Sequence, residues 1–246
     1  MPELDLSFRP RKATPPTRLS AANYAMQFVR YPRVQLYMLF AIVSTLAALL
    51  TFGWTWEEAC GALAVIVAFP FVEYLIHRFV LHNLLLCRSP LTARFWSANH
   101  HLHHLHPTDS RHFFAPPAPI LVTATLLSLL LGWAAGGTEG AGAGLAVGYW
   151  LIVVFAYVHG GAHLVAVPAT PWGKAMRHRH MLHHLHNERV NFGVTSPLVD
   201  LLFGTSATDP ETLERSSTTR SLGYEGEIVA RYPWLAEIEG GAQPLK

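Results

Sequence analysis

Four long apolar runs alternate with polar segments along this chain of 246 residues. The first two runs, residues 34–55 and 59–76, each hold close to the roughly 20 apolar residues that a helix needs to cross about 30 Å of hydrocarbon. The third and fourth runs, residues 119–135 and 141–158, are separated only by the glycine-rich stretch 136–140. We therefore predict four membrane-spanning helices, the last two joined as a helical hairpin.

Charged residues are distributed unevenly between the segments that connect these runs. All 18 lysines and arginines and all 15 histidines lie in residues 1–33, in residues 77–118 or after residue 158. Four crossings would place these three segments on one side of the membrane, which the positive-inside rule assigns to the cytoplasm. A soluble all-α fold is the alternative, because short apolar helices are also buried in globular proteins. The charge pattern favours an all-α integral membrane protein with a cytoplasmic helical cap.

Composition and segment boundaries narrow the picture further. Apolar residues make up 51% of the chain and charged residues only 14%, and 18 basic residues nearly balance 16 acidic ones, so nothing indicates a nucleic-acid partner. Cys60 and Cys87 stand apart, so we expect reduced, structural thiols. We predict a flexible leader ending in an interfacial segment (1–33), a membrane domain (34–205) and a polar C-terminal tail without chemistry (206–246).

The histidines form four groups with helical spacing. On an α-helix, residues at i, i+3 and i+4 share one face. We therefore expect that two triplets can each aim three imidazoles at one point: His100, His103 and His104, and His180, His183 and His184. His77 and His82 would be about 140° apart on a continuous α-helix, so we predict a helix end or a distortion between them. Helical phase places five histidines outside the ligand set, in supporting, interfacial or solvated positions: His101, His106, His112, His178 and His186.

The ten remaining imidazoles exceed the roughly four to six ligands that one ion takes. A single pair could be explained by helix packing, but burying ten imidazoles without a metal would leave unpaired nitrogens at about 1–3 kcal/mol each. We predict a dinuclear site, each ion keeping an open position, with the ligands His77, His82, His100, His103, His104, His159, His163, His180, His183 and His184.

Two carboxylates are candidates for supporting these ligands. Glu73 precedes His77 by one helical turn and could accept the free N–H of a ligand imidazole, or else extend to the membrane interface. Asp109 follows the second histidine group in a loop.

Three segments resemble one known family. The sequences EYLIHRFVLH at 73–82, HHLHPTD at 103–109 and HMLHHLHNERVNFGVTSPLVDLLFG at 180–204 are similar to the fatty acid hydroxylase/sterol desaturase superfamily, above all to the hydroxylase domain of fatty acid 2-hydroxylases. The resemblance covers about residues 60–205. It implies an integral-membrane oxygenase with two iron ions held by the ten histidines, although zinc can occupy such a site in a purified protein. The family often has an aspartate shortly before the third histidine pair, where this chain has residues 155–157, FAY.

The function implied by the resemblance is O2-dependent hydroxylation of a lipid acyl chain, at carbon 2. Alternatives with the same metal centre are carotenoid ring or sterol hydroxylation and acyl desaturation. A histidine-rich metal transporter is a more distant alternative, because transporters bind their ions at mid-membrane and these spans carry only Glu73, near one end.

The expected partners follow from the same resemblance. They are a membrane lipid or fatty acyl substrate and a separate electron donor of the cytochrome b5 or ferredoxin type, since a 33-residue leader has no room for a fused cytochrome b5 domain. We expect a groove between spans two and four, with the lipid head group near Arg78, Arg111 or Lys174. A bacterial inner membrane, with the metal site on its cytoplasmic face, is the expected location.

Overall fold

A computed structural model describes residues 20–164 and 170–239. The first 19 residues of the predicted leader and the last seven of the predicted tail lie outside these described ranges. Every regular element in the described residues is helical. The α-helices are α1 (Ala21–Phe28), α2 (Pro32–Thr51), α3 (Trp56–Leu75), α4 (Pro90–Trp96), α5 (Leu102–Leu105), α6 (Pro117–His163), α7 (Pro171–Leu185), α8 (Leu198–Leu202), α9 (Glu227–Arg231) and α10 (Trp234–Ile238).

Three of the described helices are long and apolar enough to cross a membrane: α2, α3 with its continuation to Leu81, and α6. The predicted run 34–55 ends earlier than expected, at Thr51, because the chain turns at Gly53 with φ +79°. Helix α3 begins at a capping box in which Thr55 and Glu58 satisfy each other's backbone N–H groups. The first two runs are therefore helices with boundaries set by local turn and capping chemistry.

Helix α6 contains both remaining apolar runs and is kinked between them. Gly136 (φ −149°, ψ 24°) and Gly137 (φ 61°, ψ −146°) leave the helical conformation. Across the kink, the hydroxyls of Thr125 and Tyr149 are 2.6 Å apart. The two halves of α6 thus pack side by side, which confirms the predicted hairpin.

Glycines bring the helices into backbone contact at the kink end of the bundle. A Cβ atom at Gly61 of α3 would lie 2.2 Å from the carbonyl oxygen of Gly140, and one at Gly136 would lie 2.0 Å from that of Glu57. Small residues at such positions allow membrane helices to approach closely. The bundle is therefore closed at this end, opposite the end that carries the histidines.

The continuation of α3 is a π-helical turn, Ile76–Leu81. The backbone N–H of His82 donates to the carbonyl of His77, five residues earlier, at 3.2 Å. This wider turn brings the two imidazoles together, which confirms the predicted distortion between them. A second π turn, Ser97–His101, joins α4 to α5 and had no signal in the sequence.

Residues 206–239 pack against the segment between α3 and α5. Leu222, Tyr224 and Leu235 form one buried cluster with Cys87 and Trp96. Cys87 is a free thiol, as is Cys60. At the other side, α1 packs on the last turns of α6, where the Tyr24 hydroxyl donates to the carbonyl of Tyr157 at 2.6 Å.

Candidate metal centre

The ten predicted ligand histidines lie together at one end of the bundle, in two groups of five. Within each group the candidate ligand nitrogens all lie within 4.8 Å of one another. Nine of the ten side chains are buried and His82 is partly buried. We call the two groups the first site, composed of His77, His82, His100, His104 and His183, and the second site, composed of His103, His159, His163, His180 and His184.

The expectation that each histidine triplet aims at one point is wrong. On α5 and the π turn before it, His104 contributes to the first site but His103 to the second. On α7, His183 contributes to the first site, whereas His180 and His184 contribute to the second. Each helix therefore contributes to both sites: the two side chains four residues apart reach one site, and the third member of the triplet reaches the other.

The nitrogen spacing fits metal ions held by imidazole. Distances between Nε2 atoms are 3.2 Å for His77 and His100, 3.1 Å for His183 and His104, and 2.8 Å for His163 and His180. Two ligands at right angles, each about 2.0–2.1 Å from an ion, are themselves about 2.9 Å apart. Without a metal ion, nothing would favour placing the Nε2 lone pairs of neutral imidazoles this close together in a buried cluster.

Unpaired nitrogens support the same conclusion. Both ring nitrogens of His103 and of His184 are buried without a hydrogen-bond partner, and so is Nδ1 of His180. Buried polar atoms in folded proteins are nearly always paired. An ion held by the five imidazoles of the second site would satisfy one nitrogen of each ring, and an octahedral preference would leave one position open.

The outer nitrogens of four histidines are held by backbone carbonyls. In each case Nδ1–H donates outward, which fixes the tautomer that turns Nε2 into the site. The acceptors are the carbonyls of Phe192 for His77 (2.5 Å), Thr219 for His104 (2.9 Å), Pro107 for His163 (2.8 Å) and Val190 for His183 (2.7 Å). Sequence reasoning missed these supports, because a carbonyl group is common to every residue and carries no side-chain signal.

Burial keeps the α7 imidazoles neutral. The pKa values of His180, His183 and His184 are held well below the usual 6.5, first by desolvation and then by the neighbouring imidazoles. A neutral imidazole offers the lone pair that a metal ion requires. The electrostatics of the cluster therefore favour metal over protons.

Glu73 does not support a ligand imidazole directly, contrary to the first expectation. Its buried carboxylate accepts from the backbone N–H groups of Val194 and Thr195 and from the Thr195 hydroxyl. Asp200 accepts from the N–H groups of Phe192, at 2.9 Å, and Gly193, at 2.8 Å. The two carboxylates hold the 192–195 loop, and the loop's carbonyl holds His77.

Asp109 does not contact a ligand histidine either. Its carboxylate accepts from the Arg111 guanidinium, with Nε at 3.0 Å, and this pairing holds the pKa of Asp109 well below its usual range. The ion pair is exposed to solvent on the arginine side, where 81% of the Arg111 side chain is accessible. Asp109 instead shapes the loop after Pro107.

The five histidines expected outside the ligand set belong to neither site. His101 is buried and its Nδ1 lies 2.9 Å from a Glu239 carboxylate oxygen. His178 and His186 donate to the carbonyls of Thr208 and Leu213, at 2.6 and 2.7 Å. The remaining two pack on each other, the rings of His106 and His112 being 6.1 Å apart.

An apolar cavity of about 230 Å³ extends from the sites into the bundle, between α3 and both halves of α6. His77, His100, His103 and His159 line its metal end. The residues expected to meet a lipid head group, Arg78, Arg111 and Lys174, do not line it. Arg78 lies over aromatic rings, Arg111 pairs with Asp109, and Lys174 is exposed on α7. Among the described residues, the polar side chains that line this end besides the ligands are Glu73, Asn99 and His112.

Comparison with known proteins identifies the family. The family model described as fatty acid hydroxylase matches residues 62–205. A dihydroceramide fatty acyl 2-hydroxylase of Arabidopsis thaliana is 31% identical over 151 residues, 58% of this chain and 59% of that protein. Human fatty acid 2-hydroxylase is 31% identical over 138 residues, 54% of this chain but only 36% of that protein.

A solved structure adds the fold. Full-length Scs7p, of which only the hydroxylase domain is visible, matches with a TM-score of 0.64 and 23% identity, over 80% of this chain and 74% of that one. The matched segment of the family model spans more than half of the chain and contains all ten histidines of the two sites. The chain belongs to the fatty acid hydroxylase family.

Proposed function

We propose that the protein hydroxylates the acyl chain of a membrane lipid or fatty acid at carbon 2. The observation that carries the proposal is the position of the two five-histidine sites at one end of an otherwise apolar cavity. A cavity of this kind suits an alkyl chain, and its only dense polar surface is the metal end. The Arabidopsis and human relatives are acyl and fatty acid 2-hydroxylases, which supports the choice of reaction.

Iron is the metal that suits this donor set and reaction. Imidazole is a suitable ligand for both iron and zinc, but zinc has no redox chemistry. Bound iron would supply electron transfer and the activation of O2. In the overall reaction one oxygen atom enters a C–H bond and the other leaves as water, so two electrons and two protons come from a donor. We assign that role to a separate protein of the ferredoxin or cytochrome b5 type.

The chain's own residues hold the ions and exclude water from the reacting carbon. Carbonyls of the 190–192 segment and of Thr219 fix the tautomers of first-site ligands. Phe113 and Phe155 pack against second-site imidazoles, with ring separations of 5.2 Å to His163 and 5.5 Å to His159. These apolar walls keep the site dry, which suits C–H chemistry on an alkyl chain.

Carbon 2 is selected by depth. The polar side chains of Asn99 and His112 at the metal end favour a head group there, with the tail running into the bundle. A chain held in this way presents its first carbons to the sites. The predicted membrane domain, residues 34–205, contributes all ten histidines, and the Thr219 carbonyl in the segment that follows supports one of them, His104.

The test of the activity is product analysis of the iron-loaded protein. Given a reductant, O2 and mixed lipids, it should yield 2-hydroxy acids, and His103→Ala should abolish them. A ring-hydroxylated carotenoid, a hydroxylated sterol or a new double bond as the only product would contradict the proposal. Metal uptake by vesicles without O2 consumption would favour a transporter.

We also propose four membrane crossings with the metal sites facing the cytoplasm of a bacterial inner membrane. The hairpin within α6 and the one-sided arrangement of basic residues support this topology. Cysteines placed at exposed Thr108 and Arg189 should react with an impermeant reagent from the same side, and one at exposed Thr138 from the opposite side. Labelling of 108 and 189 from different sides would refute it.

A further inference from the structure

We infer that the cavity measures the length of the acyl chain and stops it at a floor formed by Val65, Ser128, Leu131 and Gly148. This inference rests on the proposed function, since it takes the occupant to be an acyl chain with its reacting carbon at the metal sites. All four floor residues line the cavity at the end remote from the histidines.

The depth of the floor below the histidines is similar when it is measured along two different helices that line the cavity. On α3, Val65 lies 12 residues before His77, and on the second half of α6, Gly148 lies 11 residues before His159. With a rise of about 1.5 Å per residue, these separations correspond to about 18 and 16 Å. The agreement of two separate helices indicates a real end to the cavity at this level.

Glycine contacts explain why the cavity cannot extend below this floor. A Cβ atom at Gly144 would lie 2.9 Å from the carbonyl oxygen of Ser128 and 3.2 Å from Val65 Cγ2. One turn further on, Gly140 is in backbone contact with Gly61 and Gly132. Backbones this close leave no channel wide enough for a methylene chain. Because these contacts are between backbone atoms, the rotation of a side chain cannot open a path for a longer acyl tail.

The depth translates into a number of carbons. A zigzag chain of C–C bonds about 1.5 Å long advances about 1.25 Å per carbon, so 16–18 Å holds about 13–14 carbons. With carbon 2 at the metal sites, a chain of about 15–16 carbons fills the cavity. Longer chains would have to bend or leave the bundle.

Val65 is the best single position at which to raise the floor. Its side chain is 3% exposed, and its Cγ1 is 3.8 Å from where a Cβ of Gly148 would lie. Val65→Phe would place a ring across the lower end of the cavity. Leu63, two residues away, is 60% exposed and does not line the cavity, so Leu63→Phe is the matched control at the same bilayer depth.

The first experiment offers the iron-loaded holoenzyme an equimolar mixture of acyl chains of about 10 to 20 carbons and measures each 2-hydroxy product. For the wild type, the yield of 2-hydroxy product should decrease for chains longer than about 16 carbons. Val65→Phe should lower this length limit by about 2–4 carbons. For Val65→Phe the product ratio of short to long chains should rise at least about tenfold, because misplacement by about 1 Å already costs large factors in rate. An unchanged Val65→Phe profile, or the same shift in Leu63→Phe, would overturn the inference.

The second experiment does not depend on activity. A fatty acid of about 16 carbons with a diazirine near its methyl end is irradiated with the metal-free protein in lipid nanodiscs. The label should fall on peptides containing Val65 or Leu131, and a diazirine near the carboxyl end should label close to the histidines. Terminal labelling confined to lipid-facing residues such as Leu63 would overturn the inference. Labelling at the floor without any hydroxylated product would reject the proposed reaction and keep the floor.

Discussion

Replacing Asp200 by asparagine tests how the first site is held. The buried Asp200 carboxylate accepts three hydrogen bonds: from the N–H of Phe192 at 2.9 Å, from that of Gly193 at 2.8 Å and from the Thr205 hydroxyl at 2.7 Å. The carbonyl of Phe192 in turn accepts from Nδ1 of His77. Asp200→Asn keeps the shape of the side chain but exchanges one accepting oxygen for an amide NH2 group.

The expected cost follows from these contacts. The NH2 group cannot accept, so one backbone donor of the loop loses a bond to a charged partner, worth about 1.5–3 kcal/mol. The Arg179 guanidinium, 3.7 Å away and 6% exposed, also loses its counter-charge. Burial raises the pKa of Asp200, which shows that the charge itself costs desolvation, and its removal offsets part of the loss. We expect a net destabilisation of the loop by about 2–4 kcal/mol.

The readout is metal content and hydrogen exchange. His77 belongs to the first site and not to the second, so Asp200→Asn should lower the iron content after reconstitution from two ions per chain towards one. Backbone exchange at residues 190–195 should accelerate by at least about tenfold, the factor that corresponds to 1.4 kcal/mol.

The control is Asp209→Asn, an exposed aspartate whose carboxylate caps only a local turn, with Glu211 N–H at 2.9 Å. It should keep both ions and the wild-type exchange rates. If Asp200→Asn retained both ions and the wild-type exchange rates, the inference that Asp200 supports His77 through the backbone of Phe192 would be refuted.

Three further outcomes are expected. His103→Ala should lose second-site metal, whereas His101→Ala, which removes a partner of Glu239, should keep both ions in elemental analysis; equal loss in both would contradict the site assignment. The pKa values of the α7 ligands are lowered, so below about pH 6.5 the unfolded chain binds more protons than the folded one. The free energy of unfolding of the metal-free protein should therefore decrease as the pH drops from about 7 to 5. The decrease should be up to about 1.4 kcal/mol per pH unit for each histidine. A flat denaturation profile would argue against buried neutral imidazoles. Gly61→Ala should destabilise by about 1–3 kcal/mol in denaturant titrations because its Cβ meets the Gly140 backbone, while Leu63→Ala at the lipid-facing surface should change little.

The long apolar runs predicted the helices α2, α3 and α6 and the hairpin because each signal is local. A run of about 20 apolar residues is long enough for a spanning helix, and the adjacent glycines Gly136 and Gly137 permit the non-helical conformations that form the kink. The distortion between His77 and His82 was also predictable, since two residues five apart can share a target only if the turn is widened.

The sequence could not predict which histidines belong to the first site and which to the second. Helical phase showed that His100, His103 and His104 share a face, but a face about 100° wide can serve two targets as well as one. Which target each imidazole reaches depends on where α5 and α7 lie relative to each other, which is tertiary information. The same limit applies to Glu73 and Asp109, whose actual partners are Thr195 and Arg111.

The hydrogen bond between His104 and the carbonyl of Thr219 joins residues 115 positions apart in the sequence. During synthesis, the His104 imidazole therefore leaves the ribosome long before its partner exists. The first site cannot reach its final geometry until translation has passed residue 219, well after α6 has been synthesised. A metal ion bound before that point would lack the support that the Thr219 carbonyl gives to His104.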